Sequence, residues 1–246
     1  MSVRRARLNS DKGHMTLPRR LEPELLDELP ADDPRAQRAR RDLARINALF
    51  GQSRLMARLL QRHAGQTKPR TWLELGAGDG TFTLHVAQRL APDWPNVHVT
   101  LLDQQNIVSD ATLEGFAALG WTVQIVTADV YEYLDQAQAD SVDVVTANLF
   151  IHHIPQDKLA WLMQRIAHSA RMFVTCEPRR SRFAVRLTRQ SWLIGCGEVF
   201  VYDAIISLRA GFIGDELSQA WPRGDAWRLA EHESGLFTHC FVASRV

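Results

Sequence analysis

With 246 residues, the chain is long enough for one large α/β domain and an appendage. Hydrophobic residues make up 46% and charged residues 23%, the balance of a soluble globular protein, and no apolar run approaches the roughly 18 residues of a membrane helix. The net charge of +1 hides an asymmetry, since residues 1–70 hold 16 Lys/Arg against 8 Asp/Glu and the rest 13 against 20.

A basic front attracts an anionic substrate, an acidic carrier protein, a membrane surface or RNA; alternatively it is the solvated face of arginine-rich helices. The opening MSVRRARLNSDKGHM has no apolar stretch behind it, so it reads as a mobile tail and not as a secretory signal. Arg19–Leu29 has the character of a short helix, stopped by Pro30. Asp32 and Asp33 then offer an N-cap, with Pro34 in the first turn. Leu43, Ile46 and Phe50 recur at helical spacing until Gly51, and Leu55, Met56, Leu59 and Leu60 form the stripe of a further helix from Ser53 towards Gly65. Residues 1–69 are thus expected to form a tail and helical lid, and residues 70–246 the main domain.

From residue 70 the period changes, and short β-rich runs alternate with helical stretches in the manner of βαβ units. Strands are predicted at Thr71–Leu75, Val97–Leu102, Val123–Ala128, Val142–Ala147 and Arg171–Cys176. The intervening helices fall near Thr81–Leu90, Asn106–Leu119, Val130–Gln136 and Gln156–Ser169. Beyond Pro178, Ser181–Ile194 and Tyr202–Ala210 look helical, and Trp227–Glu231 with Phe237–Ser244 suit an antiparallel edge hairpin. The expected fold is α/β, a Rossmann-like seven-stranded and mainly parallel sheet. Cys176, Cys196 and Cys240 are odd in number and contain no C-x-x-C pair, which suits a reducing cytoplasm.

The strongest motif lies between the first strand and its helix: Glu74-Leu75-Gly76-Ala77-Gly78-Asp79-Gly80-Thr81. Glycines let the chain turn sharply and let a ligand approach, and the following helix offers unpaired N–H groups. A dinucleotide fingerprint would space its glycines G-x-G-x-x-G, whereas here the third arrives one residue early. Glu74 would also repel a pyrophosphate but tolerate a cation. Asp103 ends the second strand, where a carboxylate can accept ribose hydroxyls. Asp129 ends the third, where an N-cap for the next helix is the bland alternative.

E-x-G-x-G-x-G resembles the first motif of class I methyltransferases, whose ligand carries a sulfonium and an ammonium. The resemblance implies S-adenosylmethionine as cofactor, held by Glu74, Gly76, Ala77, Gly78, Asp79 and Gly80, by Asp103 and Gln104, by Asp129 and Val130, and by Asn148. In this class an acid at the position of Asp129 resembles the acceptor for the adenine amino group. The segment DVVTANLFIHHI, the fourth strand and the loop it runs into, is similar to the fourth-strand motif of the ubiquinone/menaquinone-methyltransferase-like group. With DLARIN at Asp42–Asn47 and CEPRRS at Cys176–Ser181, the chain looks like bacterial small-molecule methyltransferases over roughly residues 35 to 246.

Methyl transfer from a sulfonium is an in-line displacement, so the protein's work is alignment and management of the acceptor's proton. The catalytic candidates are His152, which is favoured as base, His153, and Glu177, which could share a proton with a histidine. Arg179 or Arg180 could steady a phenolate or carboxylate, although a helix N-terminal turn and solvent fringe is the preferred reading of Arg180 and Arg182. Trp192, Phe200, Tyr202 and Phe212 are candidates for an aryl pocket or for core packing. No metal site is expected, because adjacent histidines should point apart and no third ligand has fitting spacing. The expected reaction is O-methylation of a small phenolic, quinone or polyketide-derived acceptor under a lid of residues 35–62. N- or C-methylation of a small molecule and a non-catalytic cofactor-binding scaffold are the alternatives. Methylation of RNA or protein is disfavoured, since no N/D-P-P-Y/F motif or aromatic-basic interleaving occurs. No nucleic-acid partner is expected, while a homodimer through the N-terminal helices is possible.

Overall fold

A computed structural model describes residues 17–30, 32–65 and 68–246 of the chain. The expected basic tail lies outside the described residues. A single seven-stranded sheet carries the molecule, in the order β3-β2-β1-β4-β5-β7-β6. The first five strands, β1 (Thr71–Leu75), β2 (His98–Asp103), β3 (Thr122–Thr127), β4 (Val142–Asn148) and β5 (Ala170–Pro178), run parallel. The last two, β6 (Trp227–Ser234) and β7 (Thr238–Arg245), pair with each other antiparallel, and β7 pairs antiparallel with β5. This is the Rossmann-like sheet with an edge hairpin that the alternation of elements predicts. Strand order reverses between β1 and β4, and the crevice outside their C-terminal ends is where such sheets bind ligands.

Side-chain alternation divides the core into two clusters, one on each face. Trp72, Val99, Leu101, Val144, Val174 and Val242 pack beneath α3 (Gln52–His63) and α4 (Thr81–Leu90), with Phe116 of α5 (Asp110–Ala118). Leu73, Leu75, Val145, Ala147, Phe173 and Phe241 face α6 (Val130–Asp135), α7 (Gln156–Ser169) and α10 (Glu216–Ala220). Strand β7 is buried almost throughout, whereas the edge strand β6 is largely uncovered and carries the exposed Arg228 and Glu233, charges that discourage edge-to-edge pairing.

Several helices depart from the sequence reading, each for an identifiable reason. The first shrinks to one turn, α1 (Leu25–Glu28), whose Leu25 and Leu26 N–H groups donate to the Asp203 carboxylate at 2.8 and 3.0 Å. Helix α2 (Pro34–Leu49) starts as expected, with Asp33 accepting from Arg35 N. Helix α5 starts only at Asp110 because the Ser109 hydroxyl caps it, accepting from Thr112 N at 3.2 Å. The stretch 181–194 splits into α8 (Arg182–Thr188) and a 3₁₀ turn at Ser191–Ile194. Helix α9 (Glu198–Ala210) begins four residues earlier than predicted, where the buried Asp42 carboxylate accepts from Gly197 N at 2.8 Å. Helix α10 was not anticipated; the N–H groups of Leu217 and Ser218 donate to Glu231, on β6.

The expectation of a lid over residues 35–62 is corrected. Met56, Ala57, Leu59 and Leu60 of α3 join the core around Trp72. Ala39, Leu43 and Ile46 of α2 pack on Phe200 and Cys196 beside α9. Residues 17–28 instead form a strap along α9, with Arg20 N donating to Arg209 O.

Candidate active site

The glycine loop is shaped for close approach. Gly76 and Gly80 both adopt positive φ, 67° and 72°. A Cβ on Gly76 would lie 2.3 Å from Cδ2 of Phe150, and one on Gly80 would lie 2.9 Å from Cδ1 of Leu101. Gly76 therefore admits no side chain beside the Phe150 ring, and at Gly80 the positive φ disfavours one. Gly78 N donates to Asp103 Oδ2 at 2.8 Å, and Gln105 N to Oδ1 at 2.9 Å, so Asp103 ties the loop to the end of β2. Asp129 caps α6, accepting from Tyr131 N at 2.7 Å, and receives Gln104 Nε2 on its other oxygen at 3.0 Å. The cap reading of Asp129 holds: Oδ1 also accepts from Glu132 N at 3.4 Å, and Oδ2, bonded once, keeps a lone pair for a ligand. Ala77 and Val130 are buried beside these acids, whereas Asp79 is exposed and accepts from Thr81 N.

Asn148 ends β4 on the same sheet face as Glu74 and Thr146. Its Oδ1 is buried without a hydrogen-bond partner. An orphaned acceptor beside a glycine cradle suits a ligand that brings an N–H donor, such as the ammonium of S-adenosylmethionine. The residues present fit that cofactor. Glu74, expected among the residues that hold the cofactor, lies beneath the loop. It is 2% exposed, and the Thr146 hydroxyl donates to Oε2 while accepting from the Trp72 indole. Burial pushes its carboxyl up to about 8 despite the Thr146 bond.

The second half of the site lies beyond β4, in a 3₁₀ turn at Ile151–His153. Glu177, fully buried at the end of β5, accepts from Phe150 N, Ile151 N and His152 N at 3.2, 2.9 and 3.3 Å, and from the Thr175 hydroxyl at 2.7 Å. Its Oε2 lies 2.8 Å from His152 Nδ1. Burial would raise this carboxyl, but the His152 hydrogen bond and charge outweigh it and hold it below the ordinary carboxylate range. On the other side of the ring, His152 Nε2 faces Glu24 Oε1 at 3.4 Å. Burial works to depress His152, yet the two carboxylates prevail and push it up to about 9. His153 is driven down to about 4, by burial first and by the charge of His152 second.

Two expectations fail here. The histidines do not point apart: their ring centroids are 4.1 Å apart, and a carboxylate, Glu24, arrives from 128 residues away. His152 is also a poor direct base, since its side chain is 2% exposed against 31% for His153. Glu24, Leu21, His152, His153, Ile206 and Ala210 line a cavity of about 360 Å³. Sequence reasoning missed Glu24 because no local spacing connects it to the histidines. Arg180 is buried, not fringe, and bonds Gly211 O and Glu216. Arg179 pairs with Glu233 on the edge hairpin. Phe200 and Phe212 are core residues, while Trp192 and Tyr202 are 64% and 46% exposed. None of the four lines this cavity.

Residues 73–171 match a family model described as a methyltransferase domain. No curated protein matches the chain in sequence. Among solved structures, the plantazolicin methyltransferase BpumL in complex with SAH is similar at 13% identity, with a TM-score of 0.59 over 87% of this chain and 92% of that one. The same enzyme in complex with a monoazolic desmethylPZN analog and SAH gives 0.60 at 13% identity, over 87% and 91%. An O-methyltransferase family protein from Burkholderia thailandensis gives 0.52 at 17% identity, over 87% of this chain and 61% of that one. These likenesses concern the fold. The matched domain, on this sheet and with this loop, defines an S-adenosylmethionine-dependent methyltransferase.

Proposed function

We propose that the chain methylates a hydroxyl oxygen of a small phenolic, quinone or polyketide-derived acceptor. The observation that carries this reading is the cavity of about 360 Å³ at the end of β4, walled by Glu24, His152 and His153. Its volume falls at the small-molecule end of ligand sites. It mixes carboxylate and imidazole groups with Leu21, Ile206 and Ala210, which suits a flat apolar molecule with a polar edge. The resemblance of DVVTANLFIHHI to the ubiquinone/menaquinone-methyltransferase-like group, and of NLFIHH with CEPRRS to bacterial small-molecule methyltransferases, supports the acceptor class.

S-adenosylmethionine, when bound, supplies a methyl group on a positively charged sulfur. Asp103 and Asp129 hold the nucleoside end, and Asn148 Oδ1 takes an ammonium N–H. His153, the more exposed histidine, is kept neutral by burial and by the His152 charge, hydrogen-bonds the acceptor hydroxyl and passes its proton to solvent as the acceptor oxygen forms its bond to carbon. Giving up that methyl group would leave the cofactor as a neutral thioether, and the proton released by the hydroxyl would balance the charge. His152 and Glu177 are positioning residues that fix the turn.

Titration calorimetry with S-adenosylmethionine tests the site: folded Asp103→Ala and Asp129→Ala variants should each bind at least about tenfold more weakly. Affinity equal to the parent's would show that the acids are misassigned. Turnover against a panel of hydroxylated aromatics tests the chemistry. There His153→Ala should lose about 10²-fold or more, with cofactor affinity unchanged. Cofactor binding with no transfer to any member of the panel sinks the acceptor class.

A further inference from the structure

Among the described residues, Glu24, His152 and His153 bring one carboxylate oxygen and two ring nitrogens within 4.8 Å of one another. We propose that these three side chains bind a divalent transition-metal ion of the zinc class at the wall of the acceptor cavity. This goes beyond the methyltransferase reading; while the ion is bound, His153 is a ligand and does not take the acceptor's proton.

Three observations carry it. First, Glu24 Oε1 lies 3.4 Å from His152 Nε2 and 4.0 Å from His153 Nε2. Tetrahedral zinc with bonds of about 2.0–2.1 Å separates its ligand atoms by about 3.4 Å, so closure needs only small side-chain shifts. Two imidazoles and one carboxylate, with one position left open, are a set that borderline metals accept.

Second, the His152 ring is already oriented as a ligand. Its Nδ1 faces Glu177 Oε2 at 2.8 Å, which keeps Nδ1–H as donor, and its Nε2 points at Glu24, so an ion that displaces the Nε2 proton lies between both ligands. A carboxylate behind a ligating histidine is the recurrent support for such sites. Glu24 is anchored as well, by the Ser207 hydroxyl.

Third, the charges favour a cation. The carboxylates of Glu24 and Glu177 flank the ring, against one neighbouring guanidinium. That group, on Arg19, is engaged with the carbonyl oxygens of His152 and Ile154 at 2.9 Å each, with Ala210 O and with Gln156. All three proposed ligands line the same cavity, so an ion's fourth position would open onto it.

Zn²⁺ titrated into the chelator-treated full chain, with zinc content measured after gel filtration, tests the proposal. One equivalent per chain is expected, with affinity reduced about tenfold or more in Glu24→Gln and in His153→Ala but retained in His85→Ala, on exposed α4 surface. Circular dichroism and S-adenosylmethionine titration on the same samples show whether each variant is folded. No saturable uptake, or equal affinity in both folded cluster variants, overturns the site. A chain that binds S-adenosylmethionine but no zinc defeats the metal site alone; one that binds zinc but no S-adenosylmethionine supports the metal site and defeats the methyltransferase reading.

Discussion

The two halves of the site are built in opposite ways. On the cofactor side, Asp103 reaches Gly78 across 25 residues, Gln104 reaches Asp129 across 25, and Asp129 caps the helix that follows it. On the acceptor side, Glu24 reaches His152 across 128 residues and Ser207 across 183, while Arg19 reaches Ala210 across 191. The first half belongs to consecutive βα units and forms wherever those units fold. The second exists only after the strap has docked on α9 and the 3₁₀ turn. A perturbation should therefore act on one half and spare the other, unless it strikes the sheet beneath both.

Glu74 strikes beneath both, and has the largest expected effect. Its carboxyl titrates near 8 in the folded chain because it is buried, against about 4.5 when exposed. The protonated form is favoured in the fold, so its stability is complete below about pH 4.5 and is lost as pH rises towards 8. The unfolded chain binds fewer protons in that window, and the loss should reach about 4–5 kcal/mol. Urea unfolding at pH 5 and pH 8 measures it, with Glu74→Gln expected to flatten the difference. A variant that loses stability as steeply as the parent would show that Glu74 is already ionised in the fold.

Much of this contrast was legible before the structure. The strands follow from runs such as Val142–Ala147, and the crevice from three glycines and two acids at successive strand ends, because those signals are local. What stayed hidden depends on partners distant in sequence. Helix α9 gains its first turn from Asp42, α10 is capped by Glu231, and Arg180 is buried by Gly211 and Glu216. The convergence of His152 and His153 was hidden too, since adjacency in sequence suggests divergence, and only a 3₁₀ turn clamped by Glu177 brings the rings together. Glu177 itself was readable as a histidine partner, but not as the acceptor of three backbone N–H groups.

Glu177→Gln sharpens the comparison next. It removes a buried negative charge that satisfies residues 150–152 and balances His152, at a cost of about 3 kcal/mol. Damage should concentrate in the 3₁₀ turn. Turnover should fall steeply while S-adenosylmethionine affinity changes less than about threefold, because the glycine loop is held by Asp103 and not by Glu177. Equal losses in both would mean that the halves are one cooperative unit.

Arg19→Ala is the mildest and most discriminating cut. The guanidinium sits 4.7 Å over the Phe212 ring and donates to the carbonyl oxygens of His152, Ile154 and Ala210, binding strap, turn and the end of α9 in one place. Burial draws its proton affinity down, against the charge of Glu216, yet a guanidinium stays charged at any working pH. Losing it should cost about 1–2 kcal/mol, the worth of a few charge-assisted hydrogen bonds at a partly wet site. The strap's other anchors, Asp203 on Leu25 and Leu26 and Ser207 on Glu24, remain, so the fold should survive. Hydrogen exchange should then quicken over residues 17–28 and 150–154 while β1, α4 and the glycine loop keep the parent's protection. Faster exchange in the glycine loop as well would mean that the strap supports the cofactor half, and the separation between a local half and an assembled half would have to be abandoned.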